Sequence, residues 1–507
     1  MAFIPLGRAF EEAFSRHSSR KAVTFYRNGR PETELSYAAL NSDTDRMARF
    51  LGDRGVTRGS RVILFMPKSL IFVTAYTALQ KLGAVAVPLN PGFKKAEMAY
   101  FLSDAEPVLV LAGPREEGMI QAIDPGLPRL VLDTERPYGE LDLFGDVPGG
   151  IPPCEASPDD PGLMIYTSGT TGSPKGAVLT QQNLLHDADK IIHAWEMSPS
   201  DVLCHALPLF HVHGLGFALH TSLLAGAHVL LLDAFHAGTV VDLLAGGRED
   251  PVCNVFMGVP AMYAALMSAL GGRGPDFGHV RLWACGSAPL PPADFENIRK
   301  AFGREPVERE GMSETGMNFS NPLRGVKKPG SIGLPLPGLE VRIVDPETLA
   351  DVPPGATGEI WLKGPGITPG YWKKPGETAR TFHQGWFRTG DLGRVDSEGY
   401  YYLTDRIKHI IISGGENISP KEIEGVINRV DGVVESCVVG LPHEKWGEMV
   451  AAAVVPAPGV DVRREAIQAA CKQHLHDWKC PKEIRFVQSL PRNAMGKVLK
   501  EDVKKAF

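Results

Sequence analysis

The sequence predicts an α/β fold with a large N-terminal domain and a small α+β C-terminal domain. Three observations carry this. At 507 residues the chain exceeds what one hydrophobic core normally organises. Strand-like and helix-like segments alternate along its first part, the pattern of parallel sheets covered by helices. From about Gly338 the texture changes to short strands broken by Pro/Gly turns, and a compact strand–helix–strand pattern follows Asp405. Residues 1–404 are expected to form the N-terminal domain, with a β-rich subdomain over about 338–404, and residues 405–507 the C-terminal domain.

The elements follow in order. Arg61-Val-Ile-Leu-Phe-Met66 reads as a buried strand, and Ser69 to Leu82 as a helix, its apolar residues falling at helical spacing. Ala84–Leu89 and Pro107–Leu111 read as further strands, and Val229–Leu232 and Val280–Cys285 continue the alternation. Glu340–Val344 and Glu359–Lys363 are the short strands of the β-rich part. Beyond the boundary at Tyr401–Lys408 come a strand (His409–Ser413), a Gly-Gly turn, a helix (Pro420 to Val430) and a strand (Ser436–Gly440).

Composition excludes several classes. Hydrophobic residues make up 43% and charged residues 22%, ordinary for a globular protein, and the net charge of −6 does not point to nucleic acid. Basic residues thicken near the C-terminal end (Lys479, Lys482, Arg485, Lys500, Lys504, Lys505), which reads first as a solvated face and second as a docking patch for the phosphates of a nucleotide-bearing thiol. No signal peptide and no membrane-spanning stretch is evident. The seven cysteines form no Cys-x-x-Cys pair, so neither a zinc site nor a disulfide framework is expected. A reducing, cytoplasmic setting is expected.

The chemistry concentrates in Tyr166-Thr-Ser-Gly-Thr-Thr-Gly-Ser-Pro-Lys-Gly176, directly after the apolar run Leu163–Tyr166. Glycines let backbone N–H groups approach phosphate oxygens, hydroxyls donate to the same oxygens, and Lys175 adds a mobile cation. The loop is not a Walker A motif, because Pro174 precedes the lysine and Gly176 follows it. On composition alone such a loop is equally a surface turn.

The order of residues is more specific. The run resembles the phosphate-binding signature of the adenylate-forming superfamily of acyl-CoA synthetases, luciferases and peptide-synthetase adenylation domains. The resemblance continues through Gly311-Met-Ser-Glu314, Thr389-Gly-Asp391, Asp405-Arg406 and Pro491-Arg492 to Gly496-Lys497. It implies an ATP-dependent acid–thiol ligase with two half-reactions: a carboxylate is activated as an acyl-adenylate with release of pyrophosphate, and coenzyme A then captures the acyl group. It also implies a mobile C-terminal domain that swivels between the two, with Asp405 as hinge.

Residue roles are carried over on the same motifs. Thr167, Ser168, Gly169, Thr170, Thr171, Gly172 and Lys175 would cradle the ATP phosphates. Gly286, Ser287 and Ala288, together with Glu308, Arg309, Glu310, Gly311, Met312 and Ser313, would complete the nucleotide site. Glu314, with Thr167 nearby, would ligate Mg²⁺, which prefers hard oxygens and takes few from protein. Asp391 would accept hydrogen bonds from the ribose hydroxyls with support from Arg406, and Lys497 would bridge the carboxylate and the α-phosphate as negative charge builds. Gly414 and Gly415 would flank the thiol's route. One departure stands out. The family's tyrosine before Gly-Met-Thr-Glu, which stacks on adenine, is Glu310 here, and a carboxylate cannot stack in that way. Either adenine packs differently, or nucleotide affinity is weaker, or the change impairs activity.

The acid is narrowed by Pro208-Leu-Phe-His-Val-His-Gly214, where amino-acid-activating relatives commonly carry Phe-Asp. Phe210-His211 disfavours an amino acid. The chain ends soon after Lys497, so no carrier domain is expected within it. Met257-Gly-Val-Pro260-Ala-Met-Tyr263, Gly316–Pro322 and Cys204–Pro208 resemble the malonyl-CoA synthetase branch. A dicarboxylate needs a cation at the far end of its pocket. Arg281 is the expected cation, with His211 assisting, and Met257 and Gly258 line the pocket. The alternatives are the same chemistry on a short- or medium-chain or aromatic monocarboxylate, and a degenerate nucleotide-binding protein without ligase activity.

Overall fold

The computed structural model describes residues 4–141, 155–167, 173–246, 252–413, 416–493 and 496–507. These form two compact units, Met1–Glu340 with Lys363–Gly385, and Val341–Leu362 with Trp386–Phe507. The β-rich stretch 338–404 is thus divided between them.

Two sheets organise the first unit. The seven-stranded sheet runs, edge to edge, Gly370–Tyr371, Lys175–Thr180, Pro161–Thr167, Val85–Pro88, Arg61–Phe65, Leu109–Ala112 and Arg129–Val131. The nine-stranded sheet runs Leu334–Pro335, Gly316–Ser320, Val307–Met312, Leu282–Cys285, Val255–Gly258, Val202–His205, His228–Leu232, Lys21–Arg27 and Arg30–Ser36. Central pairs are parallel, as the strand–helix alternation requires. Antiparallel pairs close the edges, among them Val307–Met312 with Gly316–Ser320 and Pro161–Thr167 with Lys175–Thr180. The sheets are therefore mixed, because a hairpin can extend a parallel sheet at its edge without a crossover helix.

The predicted helix after the first buried strand spans Leu70–Lys81. Ser69 caps it, its Oγ accepting from Phe72 N at 3.3 Å. All 12 of its residues are buried, as an all-round apolar helix demands. Several of its polar side chains find partners inside the protein, whereas Tyr76 OH and Gln80 Oε1 are buried without one. Gln80 Nε2 donates to Gly162 O at 3.0 Å, and Thr77 meets Thr44 at 2.9 Å. On the nine-stranded sheet, Trp283 stacks on Phe302 with ring centres 4.4 Å apart, in a core with Phe256, Tyr263 and Phe277.

The second unit holds a five-stranded sheet of Glu416–Ile418, Ile411–Ser413, Gly447–Pro456 and Val433–His443, with Glu483–Phe486 parallel to Gly447–Pro456. Helices Pro420–Ile427 and Arg464–His474 cover it around Ile411, Ile423, Val438 and Ile484. The strand read as Ser436–Gly440 is the middle of the longer Val433–His443. Its partner Gly447–Pro456 escaped the sequence reading because Ala451-Ala-Ala carries little strand preference. Among the described residues no helix is long and apolar enough to cross a membrane, and the cysteines form no disulfide.

Candidate active site

Strand register brings the phosphate-side residues together. Thr167 lies opposite Lys175 in one antiparallel pair, and Tyr371 lies opposite Ala177 on the other side of the Lys175 strand. Glu314 arrives from the turn between Val307–Met312 and Gly316–Ser320. Its Oε1 accepts from Thr167 Oγ1 at 3.2 Å and from Tyr371 OH at 3.0 Å, and Glu314 is 7% exposed. The Lys175 ammonium pairs with Glu377 and stands 5.4 Å from the centre of the Tyr371 ring. Ser168, Gly169, Thr170, Thr171 and Gly172 lie outside the described residues.

A buried ion pair fixes the turn that presents Glu314. Asp187 accepts from Met317 N at 2.8 Å and pairs with Lys190 at 2.9 Å. Gly316 is required there. Its φ is +69°, and a Cβ would come within 2.3 Å of Asp187 Oδ1.

A second cluster forms where the parallel strands Val255–Gly258 and Leu282–Cys285 end, the carboxyl-end location where α/β sheets hold ligands. Ser287 adopts φ +68°, a strained conformation for a residue with a side chain. Its Oγ meets His213 Nδ1 at 3.1 Å and accepts from Arg309 Nη2 at 3.2 Å. Arg309 is 2% exposed, and its guanidinium carbon lies 5.0 Å from the centre of the Phe217 ring. The Nε of Arg309 is buried with no hydrogen-bond partner, as is Nε2 of His213. Arg309 passes directly beneath Gly286, where a Cβ would lie 2.7 Å from Nε. Burial lowers the Arg309 guanidinium to about 10, against the opposing pull of Cys285, Glu310 and Asp187, so it remains charged at neutral pH. Burial depresses His213 well below the ordinary imidazole value, with Arg309 adding to the effect. His213 opens a π-helix, His213–His220, a rare conformation common at functional sites.

The remaining expected residues divide. Met257 and Gly258 are buried at the end of their strand, and Gly286 N donates to Gly258 O at 3.3 Å. Ala288, Gly311, Met312 and Ser313 are half-buried around the same strand ends. Glu308 is buried and accepts from Leu290 N at 3.4 Å. Glu310 accepts from Asn318 Nδ2 at 3.0 Å across its hairpin.

Arg281 does not enter this cluster, and the expectation that it is the pocket cation is corrected. Its guanidinium closes on Asp201 (Nε–Oδ1 2.6 Å, Nη2–Oδ2 2.7 Å). It also donates to the carbonyls of Trp195 at 2.8 Å and Glu196 at 3.2 Å, past the C-terminal end of helix Gln181–Ala194. The forked donors are consumed by a buried carboxylate and helix-end carbonyls, the geometry of a structural clamp. His211 cannot assist as a cation, because burial takes its imidazole down to about 4 and leaves it neutral.

The second unit gathers its own expected residues. Asp391 and Arg406 sit opposite each other in an antiparallel pair, with Nε–Oδ1 at 2.6 Å, and Asp391 is buried. Lys497 follows Gly496, in a turn where its N–H donates to Asn493 Oδ1 at 3.0 Å. Crowding of its ammonium by protein lowers Lys497 to about 8, with Arg406, Lys408 and Lys421 adding to the effect and Asp391 opposing it. Asp405 accepts from Ser419 Oγ at 2.6 Å and from Lys421 N at 3.2 Å, at the start of helix Pro420–Ile427. Gly414 and Gly415 lie outside the described residues.

Sequence reasoning missed Tyr371, Glu377 and His213, and placed Arg309 only with the nucleotide. Tyr371 and Glu377 contact partners 57 and 202 residues away, a distance no local pattern spans. His213 had a signal, since it stands two residues after His211 in the same motif.

The AMP-binding enzyme family matches residues 10–372, and the AMP-binding enzyme C-terminal domain matches residues 422–497. A feruloyl-CoA synthase from Amycolatopsis is 36% identical over 94% of this chain and 94% of its own. A sulfoacetate–CoA ligase from Cupriavidus necator is 34% identical over 92% and 91%. The ATP-bound MatB of Rhodopseudomonas palustris shares 35% identity over 99% of both chains, with a TM-score of 0.92. With the motifs in order and the fold in agreement, the chain belongs to the AMP-binding enzyme family and is an AMP-forming acid–thiol ligase of the acyl-CoA synthetase kind.

Proposed function

We propose that this acyl-CoA ligase activates a short acid bearing a second anion at its far end, malonate first among such acids. Arg309 carries the reading. A buried guanidinium whose Nε has no partner is a costly feature unless a bound anion compensates it. His213 and Ser287 stand beside it as polar groups for the same anion. The sulfoacetate–CoA ligase, whose named acid ends in a sulfonate, agrees with a distal anion.

In the proposed chemistry a carboxylate oxygen of the acid attacks the α-phosphorus of ATP and pyrophosphate leaves. The thiol of CoA then attacks the acyl carbonyl and AMP leaves. Lys175 draws the phosphates, Asp391 with Arg406 holds the ribose, and Lys497 offsets the negative charge that builds between carboxylate and α-phosphate. Asp405, tied to the start of helix Pro420–Ile427, serves as hinge. Glu314 and the Thr167 hydroxyl form a hard oxygen set that suits Mg²⁺. When bound, that ion neutralises phosphate charge. Tyr371 orients the Glu314 carboxylate.

Two other readings have an observation each. The feruloyl-CoA synthase relative favours an aromatic monocarboxylate. Glu310 in place of a stacking residue favours a protein with impaired nucleotide use. ATP–pyrophosphate exchange with malonate, methylmalonate, sulfoacetate, acetate, octanoate and ferulate, followed by mass identification of the CoA thioester, separates them. Acids with a distal anion lead if the reading holds. Exchange led by ferulate or octanoate overturns the substrate class, and no exchange with any acid favours the impaired reading.

A further inference from the structure

The segment that leads into the π-helix is pinned at two points, by the side chains of Lys68 and His205. At one end, the Lys68 ammonium donates to Leu207 O at 3.0 Å. At the other, His205 Nε2 donates to Gly214 O at 2.8 Å. Between these anchors the chain doubles back on itself. A Cβ on Gly214 would come within 2.1 Å of Pro208 O, so only glycine permits the closure. His211 and His213 project from this closed segment, and His213 is the residue that meets Ser287.

Lys68 reaches this segment from elsewhere in the unit. It stands in the turn between strand Arg61–Phe65 of the seven-stranded sheet and helix Leu70–Lys81. Leu207 follows strand Val202–His205 of the nine-stranded sheet. The ammonium is therefore a tie between the two sheets, made to a backbone carbonyl at the root of the histidine segment. Burial lowers Lys68 to about 7 against the pull of Asp233 and Cys204, so the tie is held at an energetic cost. Burial, then Lys68, depresses His205 to about 3, which leaves that anchor neutral. A lysine held in so unfavourable a place, with its amine on the carbonyl at the root of the histidine segment, calls for a gain beyond packing.

We propose that Lys68 is a positioning residue for acid specificity: by holding Leu207 it sets the segment whose His213 fixes Ser287 and, through it, Arg309. The proposal rests on the reading that the His213–Ser287–Arg309 side receives the acid. It predicts a split. Losing the tie displaces the acid side, whereas the Thr167–Glu314–Tyr371 cluster has its own supports in Asp187 and the strand pairs.

The test uses the full chain, with whichever acid gives the wild type its highest kcat/KM. Lys68→Met removes the donor, and Lys68→Gln keeps a neutral, shorter one. In Lys68→Met the KM for the acid is expected to rise about tenfold, from loss of the hydrogen bond to Leu207 O, with the KM for ATP within about twofold. Lys68→Gln is expected in between, with the acid KM up about threefold. Acid and ATP KM values that move together, or that both stay put, overturn the proposal. Should Lys68→Met not fold, the split in Lys68→Gln decides by the same criterion. A wild type that prefers an acid without a distal anion overturns the reading of Arg309 and leaves this test intact with that acid.

Discussion

Replacing Arg309 by methionine is expected to reverse the acid preference without unfolding the protein. The guanidinium is buried, and its hydrogen bond within the protein is to Ser287 Oγ at 3.2 Å. Two neighbouring acids keep other partners. Glu310 keeps Asn318 and Asp187 keeps Lys190. Methionine fills much of the same volume against Phe217, so stability should change by no more than about 1 kcal/mol. Malonate loses its counter-charge. Removing one partner of a buried pair costs about 3–5 kcal/mol, which is a fall of about 10²–10⁴ in kcat/KM. Isovalerate matches malonate in shape but ends in two methyl groups, so it should hold within about threefold or improve. Pyrophosphate release with each acid reads both numbers. An equal fall for the two acids, or a fall below about tenfold for malonate, would refute the reasoning.

The other expectations are smaller in scope. Tyr371→Phe keeps the ring beneath Lys175 but removes the hydroxyl that meets Glu314 at 3.0 Å, so adenylation should slow about tenfold with an unchanged Tm. If Lys497 acts as the charge-bearing lysine, the adenylation rate should fall as pH rises through about 8, where its ammonium loses the proton, and CoA capture of pre-formed acyl-adenylate should show no such step. Arg281→Ala should cost about 2–3 kcal/mol of stability, because among the described residues Asp201 stays buried with Ser198 and Asn254 as its remaining donors, and should leave the ranking of acids unchanged. Thermal denaturation and the acid panel read the two halves of that statement.

Much of the fold was legible because its physics is local. The strand Arg61–Phe65, the helix capped by Ser69 and the strand Leu282–Cys285 announce themselves through continuous apolar runs and one hydroxyl before a helix. The ordered motifs likewise pointed to the chemistry. What was not legible depends on contacts far apart in sequence. Arg281 and Asp201 lie 80 residues apart, so the clamp that uses up this arginine cannot be foreseen from the strand carrying it. Arg309 sits inside a nucleotide motif, and only the cradle beneath Gly286 reveals that its side chain turns to the other cluster. The π-helix at His213–His220 continues a segment tied at Leu207 by Lys68 and at Gly214 by His205, and two-residue spacing of histidines gives no hint of it.

The central claim is that a distal anion selects the acid, and the most direct test needs no variant. The ratio of kcat/KM for malonate over isovalerate in the wild type isolates the charge at constant shape. A site that leaves Arg309 unpaired with the wrong acid should favour malonate by at least about a hundredfold. Equal values, or a preference for isovalerate, would contradict the account.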